Sequence, residues 1–195
     1  DMQSNWGVAT IGGVDFNSYD WDISPMFLRL GFHWARVLSS AALEDVGGVY
    51  TFRGMSPEEG LRAGDLWVSN LKKHGMGIYA ILTPRYKYQT GAGNPDPPKT
   101  EAEYEANVRE IVARFGDRID YWEVSNEPAL PTVTPENYGR MVRETVRILR
   151  ETDPGAQIIS LAGAANGESE WIERAFKAGA RDGVAGLSMH YSGYG

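Results

Sequence analysis

The stretch Tyr121-Trp122-Glu123-Val124-Ser125-Asn126-Glu127-Pro128 combines a short β-type run with two carboxylates and a proline. Aromatic and β-branched residues favour a strand through Val124. A carboxylate inside such a strand, Glu123, is costly to bury unless a partner compensates its charge. Pro128 ends the strand and restricts the backbone of Glu127, the residue before it. The stretch therefore predicts a strand with a paired carboxylate inside it and a second carboxylate held at its exit.

Strand-like runs alternate with helical patterns on both sides of this stretch. The helices carry start signals: Ser56 with Glu59, Thr100 with Glu103, and Thr134 before Pro135. Apolar residues at helical spacing follow each signal. The other predicted strands cover residues 8–14, 33–38, 77–82, 157–162 and 186–190. An alternating βα order is typical of a parallel sheet with helices outside it.

Two architectures are consistent with this order: an open doubly wound sheet and a (β/α) barrel. No glycine-rich phosphate-binding fingerprint follows the first strand, since Ile11-Gly12-Gly13-Val14 is too short. Polar residues gather instead after several strands, at Asp15, Arg36, Asn126-Glu127 and His190. Barrel active sites are built in this way. We therefore predict an α/β fold of the (β/α)8 TIM-barrel type, with about six βα units in a single domain over residues 1–195.

Such a barrel has eight strands, so the pattern predicts a barrel that lacks two strands and about 80 to 100 residues. The first and sixth strands would then be open edges, which promote aggregation. Three explanations stay open at this point. The remainder is supplied by another chain or by self-association, the chain is a truncated form, or the sheet is smaller than a barrel.

Composition restricts the classes of function. The net charge of −7 and the pI near 5.0 argue against a nucleic-acid surface. No apolar run reaches the length of a membrane span. The sequence has no cysteine, and no cluster of His, Asp or Glu has metal-ligand spacing. We expect no cofactor, no metal, no nucleic-acid partner and no membrane partner.

The two central strands resemble those of the clan A retaining glycoside hydrolases. Residues 122–128, which end in Asn-Glu-Pro, resemble the fourth-strand signature of that clan. Residues 30–37 are similar to its second-strand motif, in which an arginine, here Arg36, follows a glycine and an aromatic residue. Residues 42–52 and 188–191 look like the segment after strand two and the end of strand six.

The resemblance runs from about Val8 to the last residue and is closest to family 39, which includes xylosidases and exopolysaccharide hydrolases, with family 5 less close. It implies a retaining β-glycosidase acting on a polysaccharide or oligosaccharide, without a cofactor. It also favours a secreted or periplasmic protein. The alternative is a non-catalytic carbohydrate-binding or interaction module derived from a degenerate or truncated barrel.

The resemblance also implies roles for individual residues. Glu127 would be the general acid/base, and Asn126 would hydrogen-bond the sugar 2-hydroxyl. Arg36 would orient the nucleophile, or else form a structural ion pair with Glu123. We expect the sugar to contact a further group of side chains, namely His190, Tyr191 and Tyr86.

Retention also requires a second carboxylate about 5 to 5.5 Å from the first. In clan A it lies at the end of strand seven, so no residue of this sequence matches it. We therefore expect the chain to lack an identifiable nucleophile. His33 and His74 are predicted to be structural, the first before a buried strand and the second at the end of a helix.

Overall fold

The computed structural model describes residues 7–10, 22–38, 57–82, 100–128, 133–161 and 169–190. Over these residues the strands form one parallel sheet of six, in which each strand pairs with the next along the chain. They are β1 (Gly7–Thr10), β2 (Trp34–Leu38), β3 (Gly77–Leu82), β4 (Tyr121–Val124), β5 (Gln157–Ser160) and β6 (Gly186–Leu187).

The described helices lie in the crossover connections between consecutive strands, as a parallel sheet requires. None of them is long and apolar enough to cross a membrane. Their bounds are α1 (Ser24–Arg29), α2 (Pro57–Lys73), α3 (Glu101–Phe115), α4 (Pro135–Thr152) and α5 (Ser169–Lys177), with a 3₁₀ turn at Gly116–Arg118.

The strand order decides between the two predicted architectures. A doubly wound sheet reverses its strand order at a switch point. Here the order runs from β1 to β6 without reversal. The described residues therefore form six successive strands of a (β/α)8-type barrel, and the predicted fold class is confirmed. β1 and β6 lie at the two edges of this sheet.

The two faces of the sheet have different surroundings. One face packs against the helices, and its buried side chains include Ala35, Ile78, Trp122 and Ile158. The apolar stripes predicted for α3 and α4 are buried on this side: Tyr104, Val108, Ile111, Val112 and Phe115 from α3, and Tyr138, Met141, Val142, Thr145, Ile148 and Leu149 from α4.

The opposite face carries the alternate residues of β2 to β4. Trp34, Tyr79 and Tyr121 lie there, with ring centroids 5.7 Å apart for Trp34–Tyr121 and 6.2 Å for Tyr79–Tyr121. Gly77 gives the Trp34 ring its room, because a Cβ at position 77 would lie 2.3 Å from that ring. This face therefore combines an aromatic layer with the polar residues described below.

Helix starts match the sequence signals where they are described, while two strands end earlier than predicted. Thr100 and Glu103 form a reciprocal capping box, and the Thr134 hydroxyl accepts a hydrogen bond from the amide of Asn137. β5 ends at Ser160 rather than residue 162, because Leu161 has φ +70°, outside the strand region. The β6 ladder ends at Leu187 rather than residue 190, although the Ser188 amide still donates to the Ser160 carbonyl at 2.8 Å.

Ion pairs join the helices at the amino ends of the strands. His74 Nε2 lies 2.7 Å from Asp22 Oδ2, which agrees with the predicted structural role of His74. Asp65 on α2 accepts hydrogen bonds from Arg114 and Arg118. Burial raises the pKa of the Asp65 carboxyl, but the bonds from Arg118 and Arg114 outweigh burial and hold it below the ordinary value of 3.8. This carboxylate therefore stabilises the folded state only while it is ionised.

Asp65→Asn should lower the free energy of unfolding by about 1 kcal/mol or less at neutral pH, as is usual for half-exposed ion pairs. The pKa of Asp65 is depressed in the folded state, so the difference from wild type should be constant above about pH 5. It should shrink as the pH falls below 3.8 towards the lower folded-state value. Urea unfolding from pH 7 to pH 3 measures the free energy of unfolding of wild type and of Asp65→Asn.

Asp117→Asn is the matched control, because the Asp117 side chain is 81% exposed and lies 3.5 Å from the same Arg118. It should change stability less than Asp65→Asn at every pH. A difference between Asp65→Asn and wild type that grows on acidification would contradict the assignment.

Candidate active site at the carboxyl ends of the strands

Glu123, on β4, has no solvent exposure, and side chains from two other strands bond its carboxylate. Its Oε2 accepts a hydrogen bond from Arg36 Nε at 2.8 Å and lies 2.6 Å from Arg36 Nη2 in an ion pair. Its Oε1 accepts a bond from the Tyr79 hydroxyl at 3.0 Å. Ile81 and Ile159, its register partners on β3 and β5, are buried beside it. Both carboxylate oxygens are thus satisfied in an apolar setting, as the sequence required of a buried charge.

Tyr79 extends this network from β3 to β6. Its hydroxyl donates to Glu123 Oε1. Burial raises the pKa of the Tyr79 hydroxyl, and the charge on Glu123 raises it further, while the Ser188 side chain, just after β6, acts to lower this pKa. The raised pKa favours the neutral form of Tyr79, whose hydroxyl donates from β3 to the carboxylate on β4.

Arg36 also reaches past Glu123 to the exit of β4. Its Nη2 donates to Asn126 Oδ1 at 2.9 Å. A guanidinium group only donates hydrogen bonds, so this contact turns the amide oxygen of Asn126 towards Arg36 and its NH₂ group away from it. Asn126 itself is exposed at the end of the strand. The buried pair with Glu123 thus orients an exposed amide through Arg36.

Glu127 is held by His190, three residues after the end of β6. Its Oε1 lies 3.1 Å from His190 Nδ1, and both side chains are partly exposed. Nδ1 is the donor when Glu127 is ionised, because a carboxylate only accepts. A solvent-accessible carboxyl next to an imidazole can exchange protons with a bound molecule.

The backbone that presents Asn126 and Glu127 is unusual. Ser125 has φ +70° and Glu127 has φ +48°, both in the left-handed region that residues with a side chain rarely adopt. Leu161, which follows β5, has φ +70° as well. Such conformations persist only where the surroundings impose them, and they cluster at functional sites. The three lie at neighbouring strand ends, which marks this place as a candidate site.

The structure brings together four of the predicted site residues in two contacts, Arg36 with Asn126 and Glu127 with His190. The ion pair of Arg36 with Glu123, one of its two predicted roles, is present. Tyr86, Tyr191 and Asp15 lie outside the described residues.

Sequence reasoning missed Tyr79 and Ser188. Alternation along β3 places Tyr79 and Ile81 on one face, but it does not tell which face meets Glu123. Within the described part of the chain, no three His, Asp or Glu side chains are grouped to hold a metal ion.

Comparison with solved structures identifies proteins of the same fold. A β-glucosidase from Thermotoga maritima in complex with cyclophellitol is similar with a TM-score of 0.56 and 17% identity, over 82% of this chain and 49% of that one. The complex of a β-glucosidase from Thermotoga maritima with castanospermine has a TM-score of 0.56 and 18% identity, over 82% of this chain and 48% of that one. A structure described as a family 1 β-glucosidase from Thermotoga maritima gives a TM-score of 0.56 and 17% identity.

The chain therefore shares the α/β fold of these β-glucosidases and spans about half their length. No protein-family model and no curated protein sequence matches it. At this level of identity the likeness concerns the fold, and the chemistry has to be argued from the site.

Arg36→Met should lower the free energy of unfolding by about 3–5 kcal/mol, because it leaves the Glu123 carboxylate buried without a counter-charge. Glu123→Gln should cost less, because Arg36 keeps a side-chain exposure of 23% and can reach water. The double variant should be more stable than the sum of the two losses predicts, since the residues contact each other. Denaturant unfolding of wild type, the two single variants and the double variant gives this double-mutant cycle.

Additive losses would show that the two side chains do not interact in solution. Arg150→Met is a control, because Arg150 is an exposed arginine that bonds only carbonyl oxygens among its described contacts. It should cost clearly less than Arg36→Met.

Proposed function

We propose that this chain carries the acid/base half of a retaining β-glycoside hydrolase, with Glu127 as the general acid/base. One observation carries the proposal: Glu127 leaves β4 in a strained backbone, is held by His190 from beyond the end of β6, and directly follows an asparagine held by Arg36. The shared fold with β-glucosidases supports it at the level of architecture. The Asn-Glu-Pro sequence supports it at the level of the residues.

Glu127 would act twice in the reaction. In the first step a proton moves from its carboxyl group to the glycosidic oxygen as the bond to the sugar breaks. In the second step the same group, now ionised, accepts a proton from the attacking water. His190 Nδ1 holds Oε1 in place, so we assign the proton transfer to Oε2.

Asn126 would bind the sugar through its amide NH₂. Arg36 already occupies the amide oxygen, so the group that turns away from Arg36 is a donor. A donor suits the oxygen of a sugar 2-hydroxyl, and bonds to this hydroxyl strengthen in an oxocarbenium-like transition state. The Arg36–Glu123 pair then serves the reaction by fixing this orientation.

Double displacement also needs a nucleophilic carboxylate. We do not assign it to Glu123, because both oxygens of that side chain are already bonded to Arg36 and Tyr79. We propose that the working enzyme completes the barrel with two further βα units, and that one of them carries the nucleophile near Arg36. Further sequence of the same protein or a second chain could supply these units.

Within clan A, the sequence motifs favour family 39, and we propose an oligosaccharide or polysaccharide as substrate.

A carbohydrate-binding module is the second candidate. The absence of an assignable nucleophile among the described carboxylates favours it, since binding needs no double displacement. Asn126, Glu127 and His190 would then serve as hydrogen-bonding groups for a sugar. The two functions differ in whether bond cleavage follows binding.

Glu127→Gln should lower kcat/KM for phenyl β-glycosides about 10²–10⁴-fold, the usual contribution of a general acid. It should affect dinitrophenyl β-glycosides much less, because a leaving group of low basicity departs without a proton. The measurement compares kcat/KM for both substrates over a panel of sugars. Glu136→Gln is the matched control, because Glu136 is paired with Arg174 on the helix surface and should leave both values unchanged.

Equal losses on both substrates would contradict the acid role of Glu127. Saturable oligosaccharide binding by calorimetry, without turnover by protein that contains the two completing βα units, would instead establish the binding module.

A further inference from the structure

The hydroxyl group of Tyr138 lies between the ends of β4 and β5. It donates a hydrogen bond to the carbonyl oxygen of Val124, at 3.1 Å, and accepts one from the amide of Leu161, at 2.8 Å. Val124 is the last residue of β4, and Leu161 directly follows β5. The side chain has no solvent exposure. One hydroxyl group therefore connects two backbone groups that belong to different strands.

The neighbouring strand pairs are joined in a different way at the same height. The Ser125 amide donates directly to the Leu82 carbonyl of β3 at 2.9 Å, and the Ser188 amide donates directly to the Ser160 carbonyl of β5 at 2.8 Å. Between β4 and β5 the regular pairing stops at Glu123 with Ile159. Beyond this pair the hydroxyl of Tyr138 takes the place of a direct backbone bond.

This placement coincides with the change in backbone direction at the site. Ser125, which follows Val124, and Leu161 both have φ +70°. A buried carbonyl and a buried amide without partners would each cost free energy. The hydroxyl stabilises this conformation by bonding both groups. The residues turned outward by it are Asn126 and Glu127.

The position of Tyr138 is itself fixed. Tyr138 lies in the first turn of α4, after the Thr134 cap and Pro135. Val133 and Tyr138 occupy the two positions of a hydrophobic staple, and both are buried. The Tyr138 ring also packs against Trp171 of α5, with the centroids 5.4 Å apart. Burial raises the pKa of the Tyr138 hydroxyl far above its ordinary value, so the group stays a donor.

We infer that Tyr138 is a positioning residue of the candidate site, whose hydroxyl sets the separation of β4 and β5 and thereby the direction in which Asn126 and Glu127 leave the sheet. Tyr138 touches neither side chain and acts through the backbone of Val124. The positioning itself is independent of any reaction; only its catalytic consequence rests on the proposed function.

Tyr138→Phe tests the inference, with Tyr104→Phe as its matched control. The Tyr104 hydroxyl is buried as well, but it bonds the Thr145 side chain between two helices. Amide hydrogen exchange at Leu161 should become about tenfold faster or more in Tyr138→Phe, because its acceptor is lost. The NMR shifts of residues 125–127, and of the His190 ring that contacts Glu127, should change in Tyr138→Phe and stay as in wild type in Tyr104→Phe.

Where hydrolysis is measurable, Tyr138→Phe should reduce kcat with little change in KM, and Tyr104→Phe should change neither. NMR shifts at 125–127 and at the His190 ring that are identical in both variants would overturn the inference, whatever the activity. A completed barrel without hydrolysis contradicts the proposed function alone, because the NMR comparison does not use turnover. If Tyr138→Phe does not fold, exchange in wild type decides: rapid exchange of the Leu161 amide refutes the bridge, and strong protection supports it.

Discussion

The buried charge of Glu123 is the constraint on which the site depends. A carboxylate with no exposure, flanked by Ile81 and Ile159, is stable only with a counter-charge and hydrogen bonds to both oxygens. Arg36 supplies the charge from β2, and Tyr79 supplies the remaining bond from β3. Three strands are thereby held in one arrangement. Arg36 then has a further donor for Asn126, so a structural requirement inside the sheet determines the orientation of an exposed polar group at its edge.

The order of the strands explains why these side chains can meet at all. Each strand pairs in parallel with the next, so all carboxyl ends lie on the same side and residues from β2, β4 and β6 converge there. Helix α4 contributes at this end as well, because it begins soon after β4 has ended. The first turn of α4 returns Tyr138 to the end of β4, only 14 positions after Val124. The fold is shared with β-glucosidases at 17% identity, so it does not depend on most of the individual residues. The function of a fold has to be argued from the few residues of its site.

Much of the fold could be predicted because its signals are local. The capping box of Thr100 with Glu103, the cap at Thr134 and the buried stripes of α3 and α4 depend on residues three or four positions apart, and the structure shows all of them. The early end of β5 could not be predicted in this way. Leu161 has a positive φ where its amide bonds Tyr138, and no pattern around residue 161 indicates that contact.

The sequence by itself determined the alternation of strands and helices, the faces that the helices bury, and the need of Glu123 for a partner. These follow from periodicity, capping and the cost of burying a charge. Only the tertiary structure decided which partners are used. Arg36 lies 87 positions from Glu123, Tyr79 lies 44 positions from it, and His190 lies 63 positions from Glu127. Periodicity tells which residues share a face, but strand register and sheet order tell which of them face each other, and both arise only when the whole sheet is assembled.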